Sequence, residues 1–313
     1  MDFLDDLRDS RTTTGKFFLS TLVVLLLSLL VVLAISGFVL HGVLWPDRGA
    51  SGVDPKRMLS PPDAVSFTAP GGRAQDGWLF PGLRSAPVII LCHGYGRQRS
   101  DLLTLITPLQ EHQYNVFVFD FSGHGSNQGS TTLGPRETAT LLAAIEELSR
   151  RSDLDNTRFG LWGTDMGGYA ALAAAASDAR VKAVAADSVY NQPIDFVSFQ
   201  VERSGTSAIP LVSFFSRQGY RLLNWSSRNE PPLASRLAAL TQAAKLFIQG
   251  RENAVLADAT LQLFLQAPEP RAQAVFPRTD YPVLPEQEKK EYESQLLSFF
   301  LQHLPAVAPS SGR

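Results

Sequence analysis

Apolar and polar residues divide the chain into a long uninterrupted apolar stretch, a breaker-rich segment, and a region of short apolar runs alternating with helical patterns. Residues Phe17 to Leu40 carry no charge over 24 positions and are rich in Leu and Val. A helix of that length reaches roughly 36 Å, enough for a hydrocarbon core about 30 Å thick. The pattern predicts an N-terminal tail over 1–16, a transmembrane helix over 17–45, a Pro, Gly and Ser-containing linker over 46–62, a globular domain over 63–304 and a disordered tail over 305–313. A cleaved signal peptide is the competing reading of the first segment. Its apolar region is usually about 7–15 residues, shorter than this one, although Ala34-Ile35-Ser36 offers a small-residue cleavage site. Arg8, Arg11 and Lys16 precede the span, and Arg48, Lys56 and Arg57 follow it. Lys16 abuts the membrane, which leans the assignment towards a cytoplasmic N-terminus and an extracytoplasmic main domain.

Within 63–304 the period changes repeatedly. Ala64 to Thr68 and Gly77 to Phe80 read as a hairpin across Pro70-Gly71-Gly72. Pro87 to Cys92 is continuously apolar, as in a strand buried on both faces. Asn115 to Asp120 alternates and is β-rich. Val181 to Ala186 and Lys245 to Gln249 are further strands. Helices are expected over Asp101–Gln113, Pro135–Arg151 and Glu286–His303. This βα alternation implies a largely parallel, doubly wound α/β sheet of about eight strands. Such sheets bind ligands beyond the carboxyl ends of their strands.

Bulk chemistry narrows the classes little. The chain has 313 residues and a net charge of −2, so basic residues are neither in excess nor clustered, and no nucleic-acid partner is expected. Its single cysteine, Cys92, lies in an apolar strand and reads as a core residue. No cofactor and no metal site are expected. The partners expected are the lipid bilayer and a small apolar or acyl ligand; a protein partner is not legible.

Gly163-Thr164-Asp165-Met166-Gly167-Gly168 follows a strand-like run, Thr157 to Leu161, and opens a small-residue helix, Tyr169 to Ala176. Strand, glycine-flanked turn and helix make a nucleophile elbow, in which Gly163, Gly167 and Gly168 allow close packing and the central side chain is forced outward on a strained corner. Four further motifs share its order: His93-Gly94-Tyr95-Gly96, Asp120 to Ser126, Ala186-Asp187-Ser188, and Ser294 to Leu304. Together they resemble the α/β-hydrolase superfamily, in the branch of small esterases, monoacylglycerol-lipase-like enzymes and membrane-anchored relatives. The resemblance covers nearly all of Ala64 to Leu304.

That resemblance implies a Ser on the elbow, a His after the last strand and an Asp after the strand ending at Gln249-Gly250. The matching positions hold Asp165, Tyr281 and Asn253, so all three triad roles are substituted. The stretch Phe276 to Pro282 contains no His. By the same resemblance the amides of Tyr95 and Met166 form the oxyanion hole, and about 189–228 forms the cap, with aromatics from Phe196 to Trp225 and arginines 203, 217, 221 and 228. His41, His93, His112, His124 and His303 read as structural, the last as a positive group complementing a helix dipole. Asp165 has two readings. It is an aspartate nucleophile, as in haloalkane dehalogenases and epoxide hydrolases of this fold, stalled without a His. Or it is the relic of a decayed elbow, a carboxylate at a helix N-terminus that fills the oxyanion site itself. Loss of hydrolytic activity is the favoured expectation, with a ligand-sensing or scaffolding role; an active hydrolase using Asp165 on ester-like or other small apolar substrates is the alternative.

Overall fold

The structure, a computed structural model, describes residues 12–49, 53–55, 58, 60–206 and 208–307. Most of the expected N-terminal tail, part of the linker and the end of the C-terminal tail lie outside the described residues. The chain forms two compact units, Met1–Val43 with Val197–Trp225, and Leu44–Phe196 with Ser226–Arg313.

The larger unit is an eight-stranded sheet in the order β1-β2-β4-β3-β5-β6-β7-β8. Its strands are β1 (Asp63–Ala69), β2 (Arg73–Phe80), β3 (Pro87–Cys92), β4 (Asn115–Phe119), β5 (Asp155–Thr164), β6 (Val181–Asp187), β7 (Ala244–Gly250) and β8 (Arg271–Phe276). Only the β1–β2 and β2–β4 pairs are antiparallel. All six residues of β3 are buried, as its unbroken apolar run requires. β4 departs from its apparent alternation: all five residues are buried, because it lies inside the sheet between β2 and β3 and both of its faces are covered. β5 extends past the expected Thr157–Leu161 at both ends.

Two helices cover one face. They are α2 (Leu103–Glu111), entered by a 3₁₀ turn at Arg99–Leu102, and the final helix α9 (Glu286–His303). Leu105, Ile106 and Leu109 of α2 join Tyr292, Leu296, Phe299 and Phe300 of α9 in one core cluster with Ile89 and Leu91 of β3. Each such side chain contributes about 1.5–3 kcal/mol by leaving water. A Cβ on Gly160 would lie 2.7 Å from Leu304 Cδ2, so the absence of a side chain in mid-β5 lets α9 dock closely. Val88 and Ile90 alternate to the opposite face. There α3 (Pro135–Leu148), with Pro at its first turn, packs on α4 (Met166–Ala175). The fully buried Ala-rich α4 contacts β3, β5 and β6. Short α7 (Leu233–Leu237) and α8 (Ala254–Gln266), neither resolved from the sequence pattern, complete this unit. The expected tail begins under restraint, since the Pro305 carbonyl accepts from Arg158 at 3.0 Å.

The smaller unit holds α1 (Thr13–Leu44) and most of the expected cap, which forms α5 (Pro193–Arg203, beginning in the larger unit) and α6 (Pro210–Leu223). α1 is long and apolar enough to cross a membrane, a test that a signal sequence also passes.

Candidate functional site

Asp165 stands at the junction of β5 and α4 with φ 41° and ψ −105°, a strained conformation for a residue with a side chain. Backbone packing imposes the corner. A Cβ on Gly163 would lie 2.4 Å from the Gly167 carbonyl, and one on Gly167 only 2.3 Å from the Cys92 carbonyl oxygen. No side chain fits either place, and the strand must turn into the helix within one residue.

The turn aims the Asp165 carboxyl at two backbone amides. Its Oδ1 accepts from Tyr95 N–H at 2.8 Å and from Met166 N–H. These are the two amides that the sequence resemblance assigns to an oxyanion hole, and the protein's own carboxyl occupies them. Burial pushes the Asp165 carboxyl up to about 7; the amides of Met166 and Tyr95 pull it back, Asp280 raises it further and Arg97 lowers it. Arg97 and Asp280 pair with each other at 2.5 Å and are partly exposed. The Tyr95 ring lies 5.3 Å from Phe196 and 5.8 Å from His124, centroid to centroid.

A second carboxyl lies directly behind the first. Asp165 N–H donates to the Asp187 carbonyl at 2.8 Å. The Asp187 side chain is fully buried, accepting from Tyr292 O–H at 2.8 Å and from Ser188 O–H at 2.8 Å. Trp162 Nε1–H donates in turn to the Tyr292 oxygen at 2.9 Å. Burial drives the Asp187 carboxyl up to about 7 against these hydroxyl donors. Ser188, at φ 52°, also meets Thr279 Oγ1 at 3.0 Å. Thr279 N–H donates to Glu252 at 2.7 Å. The network therefore ties the ends of β6, β7 and β8 to α9 using hydroxyls and carboxyls, with no imidazole.

The positions assigned to the other triad roles are committed elsewhere. Asn253 caps α8, its side chain accepting from Leu256 N–H at 3.2 Å. Tyr281 is buried, donates to Glu293, and packs its ring 5.6 Å from Tyr292. Among the described residues no hydrogen bond joins any two of Asp165, Asn253 and Tyr281. The two loops meet through their neighbours Glu252 and Thr279 instead. The wealth of hydroxyl and carboxyl residues at three strand ends was the available signal for this network. Arg97 with Asp280, 183 residues apart, had none.

His93, His124 and His303 are engaged in structural contacts. His93 is buried and held down to about 4 by desolvation; it accepts from Phe121 N–H at 2.9 Å while its other nitrogen meets the Gly94 carbonyl. His124 is likewise buried and lowered by desolvation, with Nδ1 at 3.1 Å from the Ser122 carbonyl. His303 lies in the last turn of α9, as expected, where burial lowers its affinity for a proton and it packs 5.1 Å from the Phe299 ring. Cys92 is a sealed core thiol, raised above its ordinary value by burial. Among the described residues no cluster of His, Cys, Asp or Glu could hold a metal ion.

The family model for the alpha/beta hydrolase fold matches residues 87–208, from β3 through the elbow into the residues after α5. An uncharacterised 31.7 kDa protein of the traX–finO intergenic region of Escherichia coli is 32% identical over 129 residues, 40% of this chain and 42% of that protein. The chain thus spans under half the length of that relative. The uncharacterised protein YfhR of Escherichia coli O157:H7 is 25% identical over 272 residues, covering 83% of this chain and 86% of YfhR. Among solved structures, the esterase Pf2001 of Pyrococcus furiosus superposes with a TM-score of 0.65 at 19% identity, covering 83% of this chain and 99% of that one, a likeness of fold alone. On this sheet, this glycine-framed elbow and these matches, the chain has the α/β-hydrolase fold.

Proposed function

We propose that the chain is a membrane-anchored α/β-hydrolase-fold protein whose triad has decayed, serving as a ligand sensor or scaffold at the membrane rather than as a hydrolase. One observation carries this reading: the Tyr95 and Met166 amides both donate to the Asp165 carboxyl. Acyl transfer needs such donors free for the oxygen on which negative charge develops. Here they are occupied before any substrate arrives, and an ionised carboxyl in that place repels the developing charge. An aspartyl ester, if formed, would also need an activated water, and the described surroundings supply no free imidazole. Neutral hydroxyl networks behind the elbow favour a site that holds an apolar or acyl ligand over one that turns it over. α1 supports the anchor, and Lys16 at its start supports a cytoplasmic N-terminus with the larger unit outside.

The test is turnover. Purified full-length chain in detergent should leave short-chain nitrophenyl esters unhydrolysed above the no-protein rate, and fluorophosphonate probes should not label residue 165. Wild-type hydrolysis that disappears in Asp165→Ala would establish Asp165 as a working nucleophile and overturn the proposal. Resistance of the membrane-bound chain to alkaline carbonate tests the anchor separately.

A further inference from the structure

Helix α6 buries one face and leaves an unusual one outside. Val212, Ser216 and Tyr220, four residues apart, are buried. On the opposite side Leu211, Phe214 and Leu222 are 52%, 52% and 70% exposed, and Trp225 just beyond the helix is 62% exposed. A surface helix of a soluble protein normally places polar residues there. Arg217 and Arg221, one turn apart, flank this apolar stripe, and among the described residues neither forms an ion pair. They line a groove of about 410 Å³ with Pro210, Ser213, Phe214 and Gln218.

The buried face of α6 is fixed to α1. Ser216 O–H donates to the Ser36 carbonyl at 3.3 Å, and a Cβ on Gly219 would lie 2.7 Å from Leu40 Cδ2. Burial along one face of α1 changes at this contact: Phe17 is 73% and Val31 58% exposed, whereas Ser36 is 3% and Leu40 5% exposed, while Phe38 on another face is 81% exposed. From Phe17 to Ser36 the helix rises roughly 28 Å, close to the thickness of a hydrocarbon core of about 30 Å. With α1 as the span, the contact falls at the edge of the bilayer opposite the N-terminus.

We infer that the outer face of α6 is a membrane-surface element, seated on the anionic bilayer that α1 crosses. Leu211, Phe214 and Leu222 enter the boundary of the acyl chains, while Arg217 and Arg221 reach lipid phosphates, the arrangement of an interfacial amphipathic helix. Continuity with α1 and the unpaired basic flank single out lipid as the occupant. The inference rests on α1 being a membrane span.

Full-length protein carrying Leu222→Cys is labelled with an environment-sensitive fluorophore and reconstituted in phosphatidylcholine–phosphatidylglycerol vesicles; Phe214→Cys serves as a second position and Leu27→Cys, in mid-α1, as the reference. Native Cys92 is buried and does not compete. Labels at 222 and 214 should be quenched by lipids with a shallow nitroxide and shielded from aqueous iodide, and the label at 27 by a deep nitroxide. Arg217→Gln with Arg221→Gln should loosen this insertion by roughly fivefold per arginine in anionic vesicles and leave it unchanged in phosphatidylcholine alone. If labels at 222 and 214 are open to iodide while that at 27 is lipid-quenched, the surface element is refuted and the anchor stands. If all three are open to iodide, the anchor reading itself fails. If 222 and 214 are shielded from both quenchers, a protein covers the face and the inference is overturned. An unchanged signal in the double glutamine variant overturns the role of charge.

Discussion

Two carboxyls one strand apart, at the ends of β5 and β6, show how differently the same group is accommodated. Asp165 lies on a corner forced by backbone, and backbone holds it through the amides of Tyr95 and Met166. Asp187 lies at an ordinary strand end, and side chains hold it through the hydroxyls of Tyr292 and Ser188. Burial brings both to about 7. The first arrangement depends on glycines and survives a change of the central side chain. The second depends on each partner and does not. The elbow is thus held by backbone packing, while the ends of β6, β7 and β8 are tied together by a network of side-chain hydroxyls and carboxyls.

The largest effect should be the pH dependence that Asp187 gives to stability; Asp165, shifted alike, is common to wild type and Asp187→Asn and cancels. Folding raises Asp187 from 3.8 to about 7, so the folded chain keeps a proton that the unfolded chain releases. Its stabilising contribution is complete below about pH 4 and lost as pH rises through 7, a total of up to about 4 kcal/mol. Thermal unfolding in detergent should show wild type losing stability relative to Asp187→Asn across that window. His93, held down to about 4, acts in the opposite direction and leaves this difference untouched. A flat difference would show that Asp187 is ionised in the fold.

Gly167→Ala should follow, costing about 3 kcal/mol or more because the added methyl overlaps the Cys92 carbonyl. A mild loss there would mean that the corner is not held by packing. Tyr292→Phe should cost about 2 kcal/mol, since it strands the Asp187 acceptor and the Trp162 donor together. It should also move Asp187 titration upward, which carbonyl infrared difference spectra would read. Asn253→Ala should cost about 1 kcal/mol as the loss of a helix cap, and should leave any residual activity unchanged. The smallest effect is expected from Asp165→Ser: with no base nearby, hydrolysis of nitrophenyl esters should stay at background. A burst of nitrophenol from that variant would reveal a base that the described residues do not show.

Local pattern made much of this molecule legible. An unbroken apolar run located β3, glycines at a strand-to-helix junction located the elbow, and the bounds of α9 follow from its own periodicity. α8 and β8 escaped because their apolar positions are diluted by exposed residues, and β4 was misjudged because burial on two faces erases the meaning of alternation. The residues at the three triad positions were legible in the sequence, whereas their hydrogen bonds, Asn253 to Leu256 and Tyr281 to Glu293, were not.

What the sequence alone determined is whatever depends on neighbours in the chain: the long apolar N-terminal helix, the alternation of strands and helices, and the strained corner at Asp165. Tertiary structure decided what depends on groups far apart. The Asp165 carboxyl meets an amide 70 residues away, Ser216 meets Ser36 across 180, and Tyr292 meets Asp187 across 105. Periodicity reports which face a residue takes on its own element. A hydrogen bond between elements depends on atoms agreeing to within a few tenths of an ångström, and only the packed sheet and helices set positions that finely.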